Sequence, residues 1–105
     1  TAIGMKSLGF YADKMLENGI TDSKRYLEFI LDKIEEKNLK INNIAIMLEG
    51  KKPKIDGHTG KIKASLSKIL KIKGECIGIA ATSGEELTEF GKGLGMQCFV
   101  VVTLK

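Results

Sequence analysis

The chain has 105 residues, 43% apolar and 29% charged, with a formal charge of +4; that length describes one domain around one core and leaves no room for a second. Its apolar runs fall far short of the roughly 20 residues that cross a bilayer, and no basic start leads into an apolar stretch, so neither a membrane span nor secretion is expected. The charge is concentrated, since Lys51 to Lys73 holds eight lysines and one acid, Asp56, and no aromatic residue; such a patch attracts phosphate, but with nothing for a base to stack on, nucleic acid is not the expected partner.

Thr1 to Gly19, interrupted by Gly4, Gly9 and Gly19, is expected to be loop with room for one helical turn. A start at Thr1 rather than Met implies residues upstream. Thr21, Asp22 and Ser23 are all good N-caps, and Tyr26, Leu27, Ile30, Leu31 and Ile34 recur at helical spacing opposite Glu28, Asp32, Lys33 and Glu36, so a helix is predicted from Asp22 to Asn38. Ile44 to Leu48 is a continuous apolar run that suits a central strand covered on both faces. Gly50 to Gly60, with the only proline, Pro53, is predicted to be loop, and Thr59 to cap a second helix, to Lys71, with Ile62, Leu66, Ile69 and Leu70 inside.

Cys76 to Ala81 reads as a second strand, Thr82 to Glu86 as a polar turn that starts a helix, and Met96 to Leu104, with Phe99-Val100-Val101-Val102, as a third strand. This order predicts an α+β domain: a mixed β-sheet with helices on one face, its consecutive strands made parallel in the βαβ manner. One-sided cover would leave the other sheet face apolar, which in water favours self-association. Cys76 and Cys98 sit in apolar surroundings and are expected to be reduced core residues.

Chemistry is expected in the loops that follow the strands. In Ala81-Thr82-Ser83-Gly84-Glu85, hydroxyls and free backbone N–H groups at a helix start can hold a phosphate, and Glu85 can offer a hard oxygen to a divalent cation. The plain alternative is a capping box, with Thr82 or Ser83 as cap and Glu85 closing it. Lys51-Lys52-Pro53-Lys54 follows a strand and is stiffened by proline, so its backbone can face a base while Lys54 approaches a phosphate; an exposed basic turn is the duller explanation. Gly91-Lys92-Gly93-Leu94-Gly95 leads into a strand, unlike a dinucleotide fingerprint. His58 is the only histidine and cannot build a zinc site alone.

Three stretches then resemble one family in the same order: Asp22-Ser23 with Leu27, Gly50-Lys51-Lys52-Pro53-Lys54 after its strand, and Ala81-Thr82-Ser83-Gly84-Glu85 running without a gap to Gly91-Lys92-Gly93-Leu94-Gly95-Met96-Gln97-Cys98. They resemble the 2-C-methyl-D-erythritol 2,4-cyclodiphosphate synthase family of non-mevalonate isoprenoid synthesis. The resemblance implies a homotrimer binding a cytidine nucleotide between subunits. The substrate would be 4-diphosphocytidyl-methylerythritol 2-phosphate, whose 2-phosphate attacks the β-phosphate to release CMP, a metal-dependent lyase reaction using zinc and magnesium. By resemblance Gly50, Pro53, Lys54 and Ile55 surround the cytosine, Thr82 and Ser83 contact the diphosphate, Glu85 ligates magnesium, and Lys92 replaces a family arginine near the phosphates. It also implies a cytoplasmic location, or the plastid stroma in a plastid-bearing organism.

The departures are specific. The Asp-x-His zinc pair of the family's N-terminal strands and its later histidine have no counterpart here, and Ala2-Ile3-Gly4 stands where the family has Asp-Ile-Gly. Ala80, Gly84 and Glu89 replace a lysine, a threonine and an aromatic residue. These 105 residues by themselves are therefore expected not to turn substrate over. Two classes of function follow: the chain is part of an enzyme whose zinc ligands lie upstream, or it is a catalytically inactive relative acting as a trimeric nucleotide- or phosphate-binding or assembly domain.

Overall fold

The Asp22 carboxylate accepts the Lys24 N–H at 3.0 Å and so caps α2, Ser23–Glu36, satisfying one of the donors that a helix start leaves unpaired. The computed structural model describes residues 1–52 and 54–105, and of Glu86 the backbone alone. After α2, Asn38 takes a left-handed φ of 57°, and the chain enters β1, Ile41–Gly50. A short 3-10 turn, Asp56–His58, leads into α3, Thr59–Leu70. A second such turn, Gly74–Cys76, precedes β2, Ile77–Thr82, and β3 is Met96–Leu104.

The sheet order is β2-β1-β3 with β1 central. β2 runs parallel to β1, from Ile44 opposite Ile77 to Glu49 opposite Thr82, which requires the crossover that α3 supplies. β3 is antiparallel to β1, from Gly50 opposite Met96 to Ile41 opposite Leu104. The architecture is thus the mixed α+β fold that the element order implies, but the expected parallel, βαβ relation of consecutive strands holds for β1 and β2 alone, since the long turn between Ser83 and Gly95, unlike a helical crossover, reverses β3.

Leu31 and Ile34 of α2, Leu70 of α3, and Ile41 and Ile44 of β1 form the core, with Ile30, Ile46, Leu66, Ile69, Val102 and Leu104 packed around them. Ile77, opposite Ile44, is only 1% exposed. Both helices therefore cover the same sheet face, as the apolar stripes of α2 and α3 require.

Four expectations need correction. Residues 8 to 17 are not loop: Leu8–Glu17 is a helix, α1. Gly9 hid it, although Leu8, Tyr11, Ala12 and Met15 are spaced helically. It buries no residue and meets α2 through Tyr11, whose ring centre is 5.5 Å from that of Phe29, while the Tyr26 hydroxyl donates to the Ile20 carbonyl at 2.5 Å. β1 is covered on one face rather than both, since both helices lie on one side and Met47 stays 56% exposed. Cys98 is exposed and Cys76 half-buried, because Cys98 lies on β3, an edge strand, and Cys76 belongs to the turn before β2. Finally, Thr59 is the first residue of α3 rather than its cap, its hydroxyl donating to the Asp56 carbonyl at 3.3 Å.

Candidate functional site

Parallel pairing brings the C-terminal ends of β1 and β2 to the same edge of the sheet, and antiparallel pairing brings the start of β3 there too. Open sheets bind ligands beyond the carboxyl ends of their parallel strands. At that edge lies a cleft of about 310 Å³. Leu48, Ile55, Ala81 and Met96 make its apolar part, and Lys51, Lys54, Asp56, Thr82 and Ser83 its polar part. Gly50 lies close to Met96 at the strand end: a Cβ there would meet Met96 side-chain atoms at 3.2–3.3 Å, so that side chain would have to shift by a few tenths of an ångström.

The turn after β2 is held by its own hydroxyls. Thr82 Oγ1 accepts the Gly84 N–H at 3.1 Å and Ser83 Oγ accepts the Glu85 N–H at 3.3 Å. The helix expected after this turn is a single 3-10 turn, Gly84–Glu86, in which Glu85 is left-handed at φ 48°. This corrects the idea of free amides waiting for a phosphate, because the Gly84 and Glu85 N–H groups are already used. What remains is the hydroxyl protons: a serine or threonine oxygen that accepts one bond still has its O–H to give. With its oxygen fixed as an acceptor, each hydroxyl is restricted in where that proton can point.

Of the residues named from sequence, the fold brings Gly50, Lys54, Ile55, Thr82 and Ser83 to the same cleft. Pro53 lies outside the described residues. Glu85 and Lys92 do not line the cleft of the single chain. The Lys92 ammonium is instead 3.5 Å from a Glu89 carboxylate oxygen three residues earlier, on the surface, an exposed pairing that holds a side chain only weakly. Sequence reasoning passed over Lys51 and Asp56 as site residues; their signal was adjacency to the Pro-Lys turn. Among the described residues no group of three or more His, Cys, Asp or Glu side chains is arranged to hold a metal. They therefore do not fit a zinc site, which needs three or more such ligands.

The sequence profile of the YgbB family matches residues 1–105. The chain belongs to the YgbB family. It is 39% identical over 98 residues to the 2-C-methyl-D-erythritol 2,4-cyclodiphosphate synthase of Chlamydia trachomatis serovar L2b (strain UCH-1/proctitis), an alignment covering 92% of this chain and 54% of that protein. With the synthase of Chlamydia felis (strain Fe/C-56) the identity is 40%, over 92% of this chain and 55% of the relative. This YgbB chain thus spans about half the length of the curated relatives it matches. Among solved structures, the CDP complex of IspF from Plasmodium falciparum superimposes with a TM-score of 0.84 at 25% identity, covering 98% of this chain and 61% of that one. The bifunctional IspDF of Campylobacter jejuni matches with a TM-score of 0.81 at 25% identity, covering 92% of this chain and 26% of the larger protein.

Proposed function

We propose that this YgbB chain carries the nucleotide-binding part of a cyclodiphosphate synthase, acting on a 4-diphosphocytidyl-methylerythritol 2-phosphate and releasing CMP. The observation that carries the reading is the cleft itself, in which the turn after β1 and the turn after β2 face one another across an apolar floor. The backbone at Gly50 and Ile55 borders the cytosine, Lys54 offers charge to the phosphates, and Thr82 and Ser83 donate their hydroxyl protons to the diphosphate. In the reaction an oxygen of the 2-phosphate bonds to the β-phosphorus while the bond from that phosphorus to the bridging oxygen breaks, and the electron pair leaves with CMP. Phosphoryl transfer of this kind depends mainly on alignment and on cations or donors that offset developing charge. Glu85 is the carboxylate that would hold a magnesium ion, which supplies such charge when bound. Lys92 reaches the phosphates once released from Glu89.

Association belongs to the same proposal. The sheet face opposite the helices carries Ala45, Met47, Gly78, Ala80, Phe99 and Val101 around a shallow apolar hollow, and an uncovered face of this composition favours copies of itself around a closed axis. We infer a homotrimer with the nucleotide clefts between neighbouring subunits, a position that would bring Glu85 and Lys92 to a cleft they do not line in the single chain.

Titration calorimetry with CDP tests the reading. The wild-type chain is expected to bind, and Lys54→Ala and Thr82→Ala each to lose about 1.5–3 kcal/mol, the scale of a charge-assisted hydrogen bond. Binding that neither substitution weakens would remove these residues from the site, and absence of wild-type binding would leave the assembly-domain reading.

A further inference from the structure

A carboxylate outside the nucleotide roles just described lies against the turn that carries Thr82 and Ser83. Glu49, the penultimate residue of β1, pairs with Thr82 in the sheet, and its Oε1 accepts the hydroxyl proton of Thr88, 39 residues away in sequence. Thr88 Oγ1 in turn accepts the Gly91 N–H at 3.0 Å. Gly91 is buried and lies directly against the turn: a Cβ on it would stand 2.9 Å from the Gly84 carbonyl carbon and 3.0 Å from the Ser83 carbonyl oxygen. The reciprocal approach is as close, since a Cβ on Gly84 would be 2.8 Å from Glu49 Oε1 and 3.0 Å from the Gly91 Cα. Beside it the Lys51 N–H donates to the Phe90 carbonyl at 3.2 Å, so the loop is fastened to the end of β1 at two points.

We propose that Glu49 and Thr88 are positioning residues, whose bond fixes the loop from Ser83 to Gly95 so that the Thr82 and Ser83 hydroxyls face the cleft before a nucleotide arrives. The physical need is plain in the sequence. The loop holds Gly84, Gly91, Gly93 and Gly95, and two consecutive residues, Gly84 and Glu85, at positive φ, so without an anchor it samples many conformations. Ordering such a loop at the moment of binding subtracts from affinity, and ordering it beforehand removes that cost. A carboxylate is suited to the task because it only accepts, which commits the Thr88 proton to Glu49 and leaves the Thr88 oxygen to accept from Gly91. Gly84 and Gly91 are the residues that permit the approach, because any side chain on either would push the turn off the strand end.

The proposal rests on the nucleotide reading of the cleft, and its test separates the two. CDP affinity is measured by calorimetry for the wild-type chain, Glu49→Gln, Thr88→Val and Thr88→Ser, alongside amide hydrogen exchange at Gly91 and thermal melting. Thr88→Val keeps the shape and removes the hydroxyl; it is expected to weaken CDP binding about tenfold and to raise Gly91 exchange by about the same factor, with little change in melting. Thr88→Ser and Glu49→Gln, which keep a hydroxyl donor and an oxygen acceptor, are expected to stay within about threefold of wild type. Wild-type binding that Thr88→Val leaves unchanged overturns the positioning role and leaves the nucleotide site standing. Exchange at Gly91 that Thr88→Val leaves unchanged overturns it as well. A wild-type chain that binds no CDP removes both readings together.

Discussion

The two faces of the sheet are built from alternate residues of the same three strands, yet they fare differently in water. On the helix side Ile44 and Ile77 are 6% and 1% exposed; on the other side Met47, Phe99 and Val101 remain 56%, 66% and 54% exposed. Apolar character is similar on both, so the strands themselves do not decide burial. What decides it is whether a cover exists: α2 and α3 supply one for the first face, and among the described residues of the single chain nothing supplies one for the second. The covered face holds the domain together, while the open face is available for association.

Three substitutions probe that contrast, from the largest expected effect on stability to the smallest. Ile77→Ala removes the most buried side chain of the sheet and leaves a cavity beneath α3, and is expected to cost about 2–5 kcal/mol in urea unfolding followed by circular dichroism. A loss below about 1 kcal/mol would mean that the covered face is not the stabilising one. Asp22→Ala acts on the cover rather than on the face. Losing the bond to the Lys24 N–H is expected to lower stability by about 1 kcal/mol, read from the same unfolding curves. Phe99→Asp is the mirror test on the open face, expected to change the stability of the isolated chain by no more than about 0.5 kcal/mol while the mass in sedimentation falls from three chains to one. Three-chain mass surviving that charge would place the association elsewhere.

Much of this contrast is legible in the sequence. The helical spacing of Tyr26, Leu27, Ile30, Leu31 and Ile34 marks α2, the apolar run Ile44 to Leu48 marks the centre of β1, and Met96 to Leu104 has the bounds of β3 itself. These are local signals, in which period and propensity agree over many residues. Two failures have one cause, the weight given to neighbours in sequence over neighbours in space. Gly9 masks a helical pattern in α1, and the apolar run of β1 reads as burial on both faces when only one is covered. The site divides in the same way. The Pro-Lys turn and Thr82-Ser83 stood out as short motifs, whereas nothing in the sequence joins Glu49 to Thr88, since a hydrogen bond across 39 residues leaves no periodicity to detect.

The sequence by itself determined the kind of elements, their order and the residues able to meet phosphate, because backbone preference and side-chain chemistry are properties of short stretches. Tertiary structure alone decided that the ends of β1 and β2 lie side by side, and so that Lys54 and Thr82 share one cleft. It also decided that the Thr82 and Ser83 hydroxyls already accept the Gly84 and Glu85 amides. Strand register and the path of a glycine-rich loop are fixed by contacts between residues far apart in the chain, because register is selected by which residues the buried sheet face takes in.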